Sequence, residues 1–221
     1  QFAHLPLLLK PDGNGKLSKR DGDRLGFPVF PLQWNDPKSG ETSSGYRESG
    51  YFPDAFVNML ALLGWNPGTE QEIFSMDELI EAFSLERVGK AGSKFDPEKT
   101  KWFNHQYLVK RSDSSIALDF SIFLQEKGIA SDNETITKVV SLVKERVNFV
   151  KEIWNESYFF FETPTEYDDQ VVKKRWKAET PAQMRALAEM LATIDAFEPS
   201  NLDEVIKVWI ETNGYGMGAV M

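Results

Sequence analysis

The feature that most constrains the fold is a run of apolar residues at helical spacing in the second half of the chain. The run consists of Ile136, Val139, Val140, Val143, Val147, Val150 and Trp154. Steps of mostly three and four residues place these side chains on one face of an α-helix and leave Lys138 and Lys144 on the other face. The pattern predicts helix through residues 136–154.

Helix start signals recur along the chain and favour the same class of fold. Ser75 with Glu78, and Thr180 with Gln183, have the spacing of capping boxes. Asp96-Pro97 opens a short predicted helix, Ser200 is the predicted cap of the last helix, and residues 116–128 form a further helix candidate. The sequence therefore predicts a mainly α chain.

A small β contribution is expected near the N-terminus. Residues 1–9 are apolar and end at a turn-forming stretch, residues 10–15, which predicts a buried strand that enters a tight loop. Residues 27–34 contain two prolines and are limited to a short extended segment, and residues 35–50 are predicted to form a surface loop. A polar stretch at residues 108–114 divides the chain into two expected domains, 1–111 and 112–221.

Composition excludes several kinds of site. The 221 residues contain no cysteine and only two histidines, His4 and His105, so a disulfide scaffold, a thiolate metal site and a cysteine nucleophile are excluded. We expect no metal site in this chain, and His4 is predicted to be a packed side chain. No apolar run has the length of a membrane span, so we expect a cytoplasmic protein with no membrane partner.

Three cations and a hydroxyl follow the first turn, in the motif Lys16-Leu17-Ser18-Lys19-Arg20. Ammonium groups, a hydroxyl and free amides on a glycine-containing loop can contact polyphosphate. A solvated charged surface is the alternative reading. A calcium loop starting at Asp12 is excluded, because Lys16 falls at a ligand position and Leu17 replaces the glycine of the bend.

The motif resembles the second signature of class I aminoacyl-tRNA synthetases, in the form common in glutamyl-tRNA synthetases. Further segments resemble that family in the same order along the chain. They are Phe2-Ala3-His4-Leu5-Pro6, Gly50-Tyr51-Phe52-Pro53-Asp54-Ala55, Leu60-Ala61-Leu62-Leu63-Gly64-Trp65, Phe83-Ser84-Leu85-Glu86-Arg87-Val88 and Phe95-Asp96-Pro97-Glu98-Lys99.

The resemblance implies a bacterial-type ligase that activates glutamate with ATP and Mg²⁺ and transfers it to tRNA. It implies that Lys16, Ser18 and Lys19 form the catalytic loop, and that Lys16, Lys19 and Arg20 bind ATP. Lys19 would contact the phosphates. For the fold, it implies the end of the catalytic domain and a tRNA stem-contact region in residues 1–111, then a helical-bundle anticodon-binding region in residues 112–221.

The sequence departs from the family at one point, since the other class I signature, His-x-Gly-His, is absent. We therefore expect the downstream part of a longer enzyme, inactive alone, with the upstream catalytic half of the same protein as its partner. We also expect the family's sequence to continue beyond residue 221. A glutaminyl-type synthetase fragment and a stand-alone helical RNA- or protein-binding module are the alternatives.

A candidate tRNA surface lies between residues 87 and 111, although the chain has a net charge of −9. This stretch contains seven cations and only two carboxylates, those of Asp96 and Glu98, and such an excess of positive charge favours contact with phosphates. The cations are Arg87, Lys90, Lys94, Lys99, Lys101, Lys110 and Arg111. A solvated helix face is the alternative. A second basic cluster surrounds Trp176 at residues 173–177. The expected tRNA is the glutamate-specific one, and additional charging of the glutamine tRNA stays open.

Overall fold

The structure is a computed structural model that describes residues 5–220, without the side chains of Asp23 and Ala219. His4 and the first part of the predicted N-terminal strand lie outside the described residues. The helices of the N-terminal part are α1 (Lys19–Leu25), α2 (Pro53–Leu62), α3 (Met76–Ala82), α4 (Pro97–Lys110), α5 (Asp113–Glu126), α6 (Asn133–Val143) and α7 (Ile153–Ser157). They are followed by α8 (Asp169–Arg175), α9 (Thr180–Leu191), α10 (Pro199–Thr212) and α11 (Met217–Val220). The predicted mainly α fold is confirmed.

The β contribution in the described residues is two pairs of short strands. They are β1 (Leu8–Leu9), β2 (Trp34–Asn35), β3 (Thr42–Ser43) and β4 (Ser93–Lys94). β1 pairs in parallel with β4, with Leu9 opposite Lys94, and β2 pairs antiparallel with β3. The amides of Ser93 and Phe95 donate to the carbonyls of Leu7 and Leu9, at 2.8 and 3.1 Å.

The predicted N-terminal strand is present in the described residues as β1 and enters a turn, but it is shorter and less buried than expected. Leu5 and Leu7 are 72% and 48% exposed. The segment at residues 27–34 contributes only Trp34 to a strand. Pro28 and Pro31 lack the backbone N–H that a longer ladder would need.

Two compact units divide the chain at residue 162, so that one contains Gln1–Glu162 and the other Thr163–Met221. The largest core of the first unit joins α2 and α4 to α5 and α6. Its fully buried side chains include Leu108, Ile116, Phe120, Ile136 and Val140. Residues on both sides of position 111 therefore share one core. The second unit has a thinner interior, since Thr180 and Ile210 are the buried side chains among its described residues.

Two smaller clusters in the first unit support the N-terminal segments. One joins Phe27, Tyr46, Tyr51, Met59, Phe95, Phe103 and Phe149. The other joins Trp65, Phe74 and Leu79. Buried Asn104 ties three segments together, because its side chain accepts from the amide of Phe52 at 2.8 Å and donates to the carbonyls of Gly50 and Asn148 at 3.4 and 2.7 Å.

The predicted continuous helix through residues 136–154 is wrong. α6 ends at Val143, 3₁₀ turns follow at Lys144–Arg146 and Val150–Glu152, and α7 begins at Ile153. The Glu152 carboxylate accepts from the amides of Asn148 and Phe149 at 2.8 and 3.1 Å, so these amides are turned away from helical partners. The apolar positions still face the core, since those from Ile136 to Val147 are buried and Val150 and Trp154 pack against the same cluster.

Some of the predicted helix starts are confirmed and others are wrong. The capping box of Ser75 and Glu78 is confirmed, and so is the Asp96 cap, whose carboxylate accepts from the amides of Glu98 and Lys99. The helix after Asp96 is not short, however, since α4 has 14 residues. The caps predicted at Thr180 and Ser200 are wrong. Thr180 is the first residue of α9, and Ser200 lies inside α10, which begins one residue earlier with proline.

Candidate functional site

The loop before the cationic motif folds back on β1. The Lys10 amide donates to the Gly15 carbonyl at 3.1 Å, and the Leu17 amide donates to the Leu8 carbonyl at 2.8 Å. Gly13 and Gly15 have φ values of 81° and 82°, a region that favours glycine. The motif is therefore held against β1 by backbone hydrogen bonds at both ends of the turn.

Asp21 fixes the conformation of the motif itself. Its carboxylate accepts from the Ser18 amide at 3.0 Å and from the Ser18 hydroxyl at 2.6 Å. Lys10 and Arg24 approach the other carboxylate oxygen at 3.5 and 3.2 Å. The hydrogen bonds from Ser18, reinforced by the charges of Lys10 and Arg24, lower the pKa of Asp21 to about 2. Ser18 therefore begins α1 in a fixed geometry.

Asp21 is a site residue that the sequence prediction missed. Its side chain is nearly buried, whereas most aspartates are exposed. The spacing Ser18-x-x-Asp21 is the signal that could have found it, because a hydroxyl residue followed three positions later by a carboxylate is a capping-box pattern.

The predicted site side chains of the motif all face solvent. Lys16, Ser18, Lys19 and Arg20 are exposed. Among the described side chains, the three cations form no ion pair. Lys19 has an aromatic neighbour instead, since its Nζ lies 4.9 Å from the ring centroid of Phe30. The geometry leaves these cations available to an anionic ligand.

Helix α1 is anchored by close packing at a glycine. A Cβ atom at Gly22 would overlap the Val29 side chain and lie 2.9 Å from the Phe27 carbonyl oxygen. Gly26, with φ 78°, ends the helix, and its amide donates to the Gly22 carbonyl at 2.8 Å. The Phe27 ring then packs 4.7 Å from the ring of Phe95 in the core. This packing fixes the helix that carries Lys19 and Arg20.

The predicted tRNA cations do not form one continuous face. Lys94 and Lys99 line a cavity of about 180 Å³ together with Glu72 and Asp96. Lys99 pairs with Glu72 at 2.7 Å, and its Nζ lies 3.7 Å from the Trp102 ring centroid. Lys101 lies two positions further along the helix, about 200° around its axis.

Several of the remaining cations are engaged within the chain. Lys101 pairs with Glu98 at 2.8 Å, and Arg111 approaches Asp54 at 3.4 Å and the Phe52 ring centroid at 4.2 Å. Arg87 donates to the Pro67 carbonyl. Four cations form no ion pair with any described side chain. They are Arg87, Lys90, Lys94 and Lys110, and all four are exposed.

The second basic cluster lies at the end of α8. Arg175 donates to the Gly218 carbonyl at 2.9 Å, and the Nζ of Lys177 donates to the Lys173 carbonyl at 2.9 Å. Trp176 is 53% exposed. The aromatic ring is accessible for stacking, while two of the cations around it are already used by backbone carbonyls.

Among the side chains that the structure describes, no three of the His, Asp and Glu types come close enough together to hold a metal ion. None of the helices described is both long enough and apolar enough to cross a membrane.

Comparisons with known families agree with the order of segments along the chain. Residues 1–102 match the model described as tRNA synthetases class I (E and Q), catalytic domain. Residues 107–221 match the model described as Anticodon binding domain. The two matched regions together span nearly the whole chain.

Curated relatives carry one name. Proteins named glutamate–tRNA ligase from Phocaeicola vulgatus, Flavobacterium johnsoniae and Porphyromonas gingivalis are 58%, 57% and 56% identical over 221 residues. These alignments include all of this chain and 44% of each relative, so the chain spans less than half the length of the curated relatives it matches.

Solved structures give the same result. A glutamate tRNA ligase from Elizabethkingia meningosepticum, in complex with its amino acid, superposes with a TM-score of 0.94 at 49% identity. The glutamate–tRNA synthetase of Elizabethkingia anophelis gives 0.89 at 48% identity. Each match covers the whole of this chain, and 44% and 43% of those structures. The chain therefore belongs to the class I tRNA synthetases of the E and Q, or glutamyl and glutaminyl, group.

Proposed function

We propose that this chain is the downstream portion of a glutamate–tRNA ligase, which activates glutamate with ATP and transfers it to tRNA in the cytoplasm. One observation carries the proposal. The exposed motif Lys16-Leu17-Ser18-Lys19-Arg20 is fixed in place by the carboxylate of Asp21, while its cations stay free of ion pairs with the described side chains. The names of the relatives support the same activity.

Lys19 is the proposed catalytic cation. Negative charge builds on the pyrophosphate as it leaves ATP, and a cation held nearby lowers the barrier because it needs no rearrangement during the reaction. Lys16 and Arg20 would contact ATP phosphates beside it, and Ser18 would shape the loop through its two hydrogen bonds to Asp21. We propose that Mg²⁺ arrives with the nucleotide, since this ion is commonly held by phosphates and few protein ligands.

Residues 1–111 are the proposed end of the catalytic domain with the tRNA stem-contact region, and residues 112–221 are the proposed anticodon-binding region. The helices α5–α11 support the glutamyl over the glutaminyl alternative, because the typical glutaminyl anticodon region is a β-barrel and the described residues 112–220 form no strand. The proposed partners are the upstream catalytic half of the same protein and the glutamate-specific tRNA. Aminoacylation of a tRNA panel shows whether the glutamine tRNA is charged as well.

ATP–pyrophosphate exchange in the full-length protein tests the proposal. With glutamate and tRNA present, Lys19→Ala should lower kcat on the order of 100-fold and change the KM for ATP less, because the charge that Lys19 stabilises develops in the transition state. Lys38→Ala, which removes an exposed cation outside the motif, is the matched control and should leave the rate unchanged.

Two results would contradict the proposal. An unchanged kcat in Lys19→Ala removes the catalytic role of Lys19. Exchange above background by the 221-residue chain alone removes the proposed need for the upstream half, since this chain lacks the His-x-Gly-His signature.

A further inference from the structure

An aromatic pair lies directly beside Lys19. The Lys19 ammonium is 4.9 Å from the centroid of the Phe30 ring, and that ring stacks on Trp34 with centroids 6.0 Å apart and planes inclined by 26°. A cation near the face of an aromatic ring is attracted by the negative charge of the π system. Phe30 therefore supplies a preferred position for the end of a long side chain that is otherwise exposed.

The backbone around Phe30 is anchored to the core. The Phe30 carbonyl accepts from the amide of Tyr46 at 2.8 Å, and Tyr46 is 5% exposed. The Tyr46 ring packs 4.9 Å from Tyr51 and 4.5 Å from Phe56. The backbone position of Phe30 is thus fixed through Tyr46.

The connection beyond Phe30 is also tightly fixed. A Cβ atom at Gly45 would overlap the backbone of Leu32 and Gln33. The Gln33 amide donates to the Glu48 carboxylate at 2.7 Å. These contacts hold the start of the β2–β3 hairpin against residues 45–48, so the Phe30–Trp34 stack has a rigid base.

A ring orients Lys19 without neutralising it. Lys99 and Lys101 show the contrast, because carboxylates hold their ammonium groups at 2.7 and 2.8 Å. Hydrogen bonds from the Lys38 and Ser39 amides lower the pKa of Asp36, and the charge of Lys19 contributes less. The Asp36 carboxylate therefore binds mainly within its own turn. The positive charge of Lys19 stays available for a ligand.

We propose that Phe30 is a positioning residue for Lys19, holding the ammonium group near the place where ATP phosphates bind and releasing it to them. The inference rests on the proposed function of Lys19. An exposed cation–π contact changes a local equilibrium about two- to fivefold, which is enough to favour one side-chain orientation and weak enough to yield to a phosphate. The β2–β3 hairpin contains two carboxylates, Asp36 and Glu41, and one cation, Lys38. This net negative charge disfavours a role for Trp34 in stacking on RNA.

The test compares Phe30 variants of the full-length protein by ATP–pyrophosphate exchange. Phe30→Leu, which keeps an apolar side chain without a ring, should lower kcat about two- to fivefold and leave the KM for glutamate unchanged. Phe30→Tyr, which keeps the ring, should restore the wild-type rate. In the Lys19→Ala background, Phe30→Leu should have no further effect, because the group that the ring positions is gone.

Phe30→Met provides an unbranched apolar side chain if Phe30→Leu fails to fold, and it should show the same two- to fivefold loss. A wild-type rate in folded Phe30→Leu or Phe30→Met, with Lys19→Ala slow, overturns this inference alone. If Phe30→Leu lowers kcat in the Lys19→Ala background as much as in the wild type, the inference is also overturned and Phe30 has a packing role. A raised KM for tRNA in both Phe30→Leu and Trp34→Leu would replace it with RNA stacking. If Lys19→Ala itself is unimpaired, the proposed function fails instead.

Discussion

Asp21 shows how one buried carboxylate fixes the conformation of an exposed cationic motif. Ser18 is exposed and flexible by type, yet its amide and hydroxyl both point to the same carboxylate oxygen. The carboxylate is held in turn by Lys10, which lies on the far side of the turn at residues 11–15. The geometry of the motif is therefore set by a residue outside it.

The lowered pKa of Asp21 gives a prediction in acid. Because the folded state favours the charged carboxylate, its contribution to stability is fully present above the ordinary value of 3.8 and is lost as the pH falls toward about 2. The amide shift of Ser18, followed by NMR, should stay constant down to a pH of about 3 and move only below it. In Asp21→Asn the same shift should not titrate. A midpoint near 4 in the wild type would show that the Ser18 hydrogen bonds are absent in solution.

At the residue scale, sequence reasoning predicted the cations of the motif and missed their neighbours. Lys19 could be predicted because the segments around it resemble a known family, whereas a charged run after a glycine turn is by itself typical of solvated surface. Phe30 could not be predicted, because an aromatic residue between two prolines is typical of a packed side chain and its distance to Lys19 is known only from the structure. Of the predicted tRNA cations, Lys99 and Arg111 have partners from distant segments, Glu72 and Asp54, that no local pattern indicates.

Helix α1 contains a glycine, Gly22, at a position where helix propensity alone favours alanine. Alanine at Gly22 favours helix by about 1 kcal/mol, but its Cβ would overlap Val29. We expect Gly22→Ala to lower the free energy of opening α1 by about 1–3 kcal/mol, measured by hydrogen exchange of the α1 amides, because overpacking outweighs propensity.

Gly26→Asn is the control for Gly22→Ala. It replaces a glycine with φ 78° that has open space around an added Cβ, and asparagine tolerates this backbone region. The control should change the opening free energy of α1 by a few tenths of a kcal/mol. A Gly22→Ala protein with more protected α1 amides than the wild type would refute the packing argument.

At the element scale, apolar spacing predicted burial better than it predicted continuity. Every member of the period from Ile136 to Val147 is buried, as the pattern requires. The helix nevertheless does not continue through residues 148 and 149, because the Asn104 side chain donates to the Asn148 carbonyl and the Glu152 carboxylate accepts from the amides of Asn148 and Phe149. Asn104 lies 44 positions away from Asn148, so the interruption could not be read from the local sequence.

The polar stretch at residues 108–114 concerns the scale of the whole molecule. The stretch is polar, as expected of a linker, yet Leu108 and Ile116 on either side of it are both fully buried in one core. Polarity marked the short connection between α4 and α5 correctly. It carried no information about which core the flanking helices join, because that depends on contacts across the molecule.

The whole-molecule charge predicts repulsion of RNA, and a local cation should oppose it. Lys94 is exposed and forms no ion pair with the described side chains, so we expect Lys94→Ala in the full-length protein to weaken tRNA binding and to reduce the slope of log affinity against log salt by about 1. Lys138→Ala is the control, since Lys138 is exposed and paired with Glu134 at 2.7 Å on α6. Equal slopes for the wild type and Lys94→Ala would exclude this surface.

The pairing of β1 with β4 sets an order of events during synthesis. Leu9 and Lys94 lie 85 positions apart, and the amides of Ser93 and Phe95 complete the hydrogen bonding of the segment that leads into the cationic turn. A ribosome adding 5–20 residues per second needs on the order of 4–17 s to cover that distance. The loop that carries the cationic motif is therefore made seconds before the strand that completes its hydrogen bonding. Until β4 has been synthesised, the motif lacks the pairing that shapes the segment leading into it.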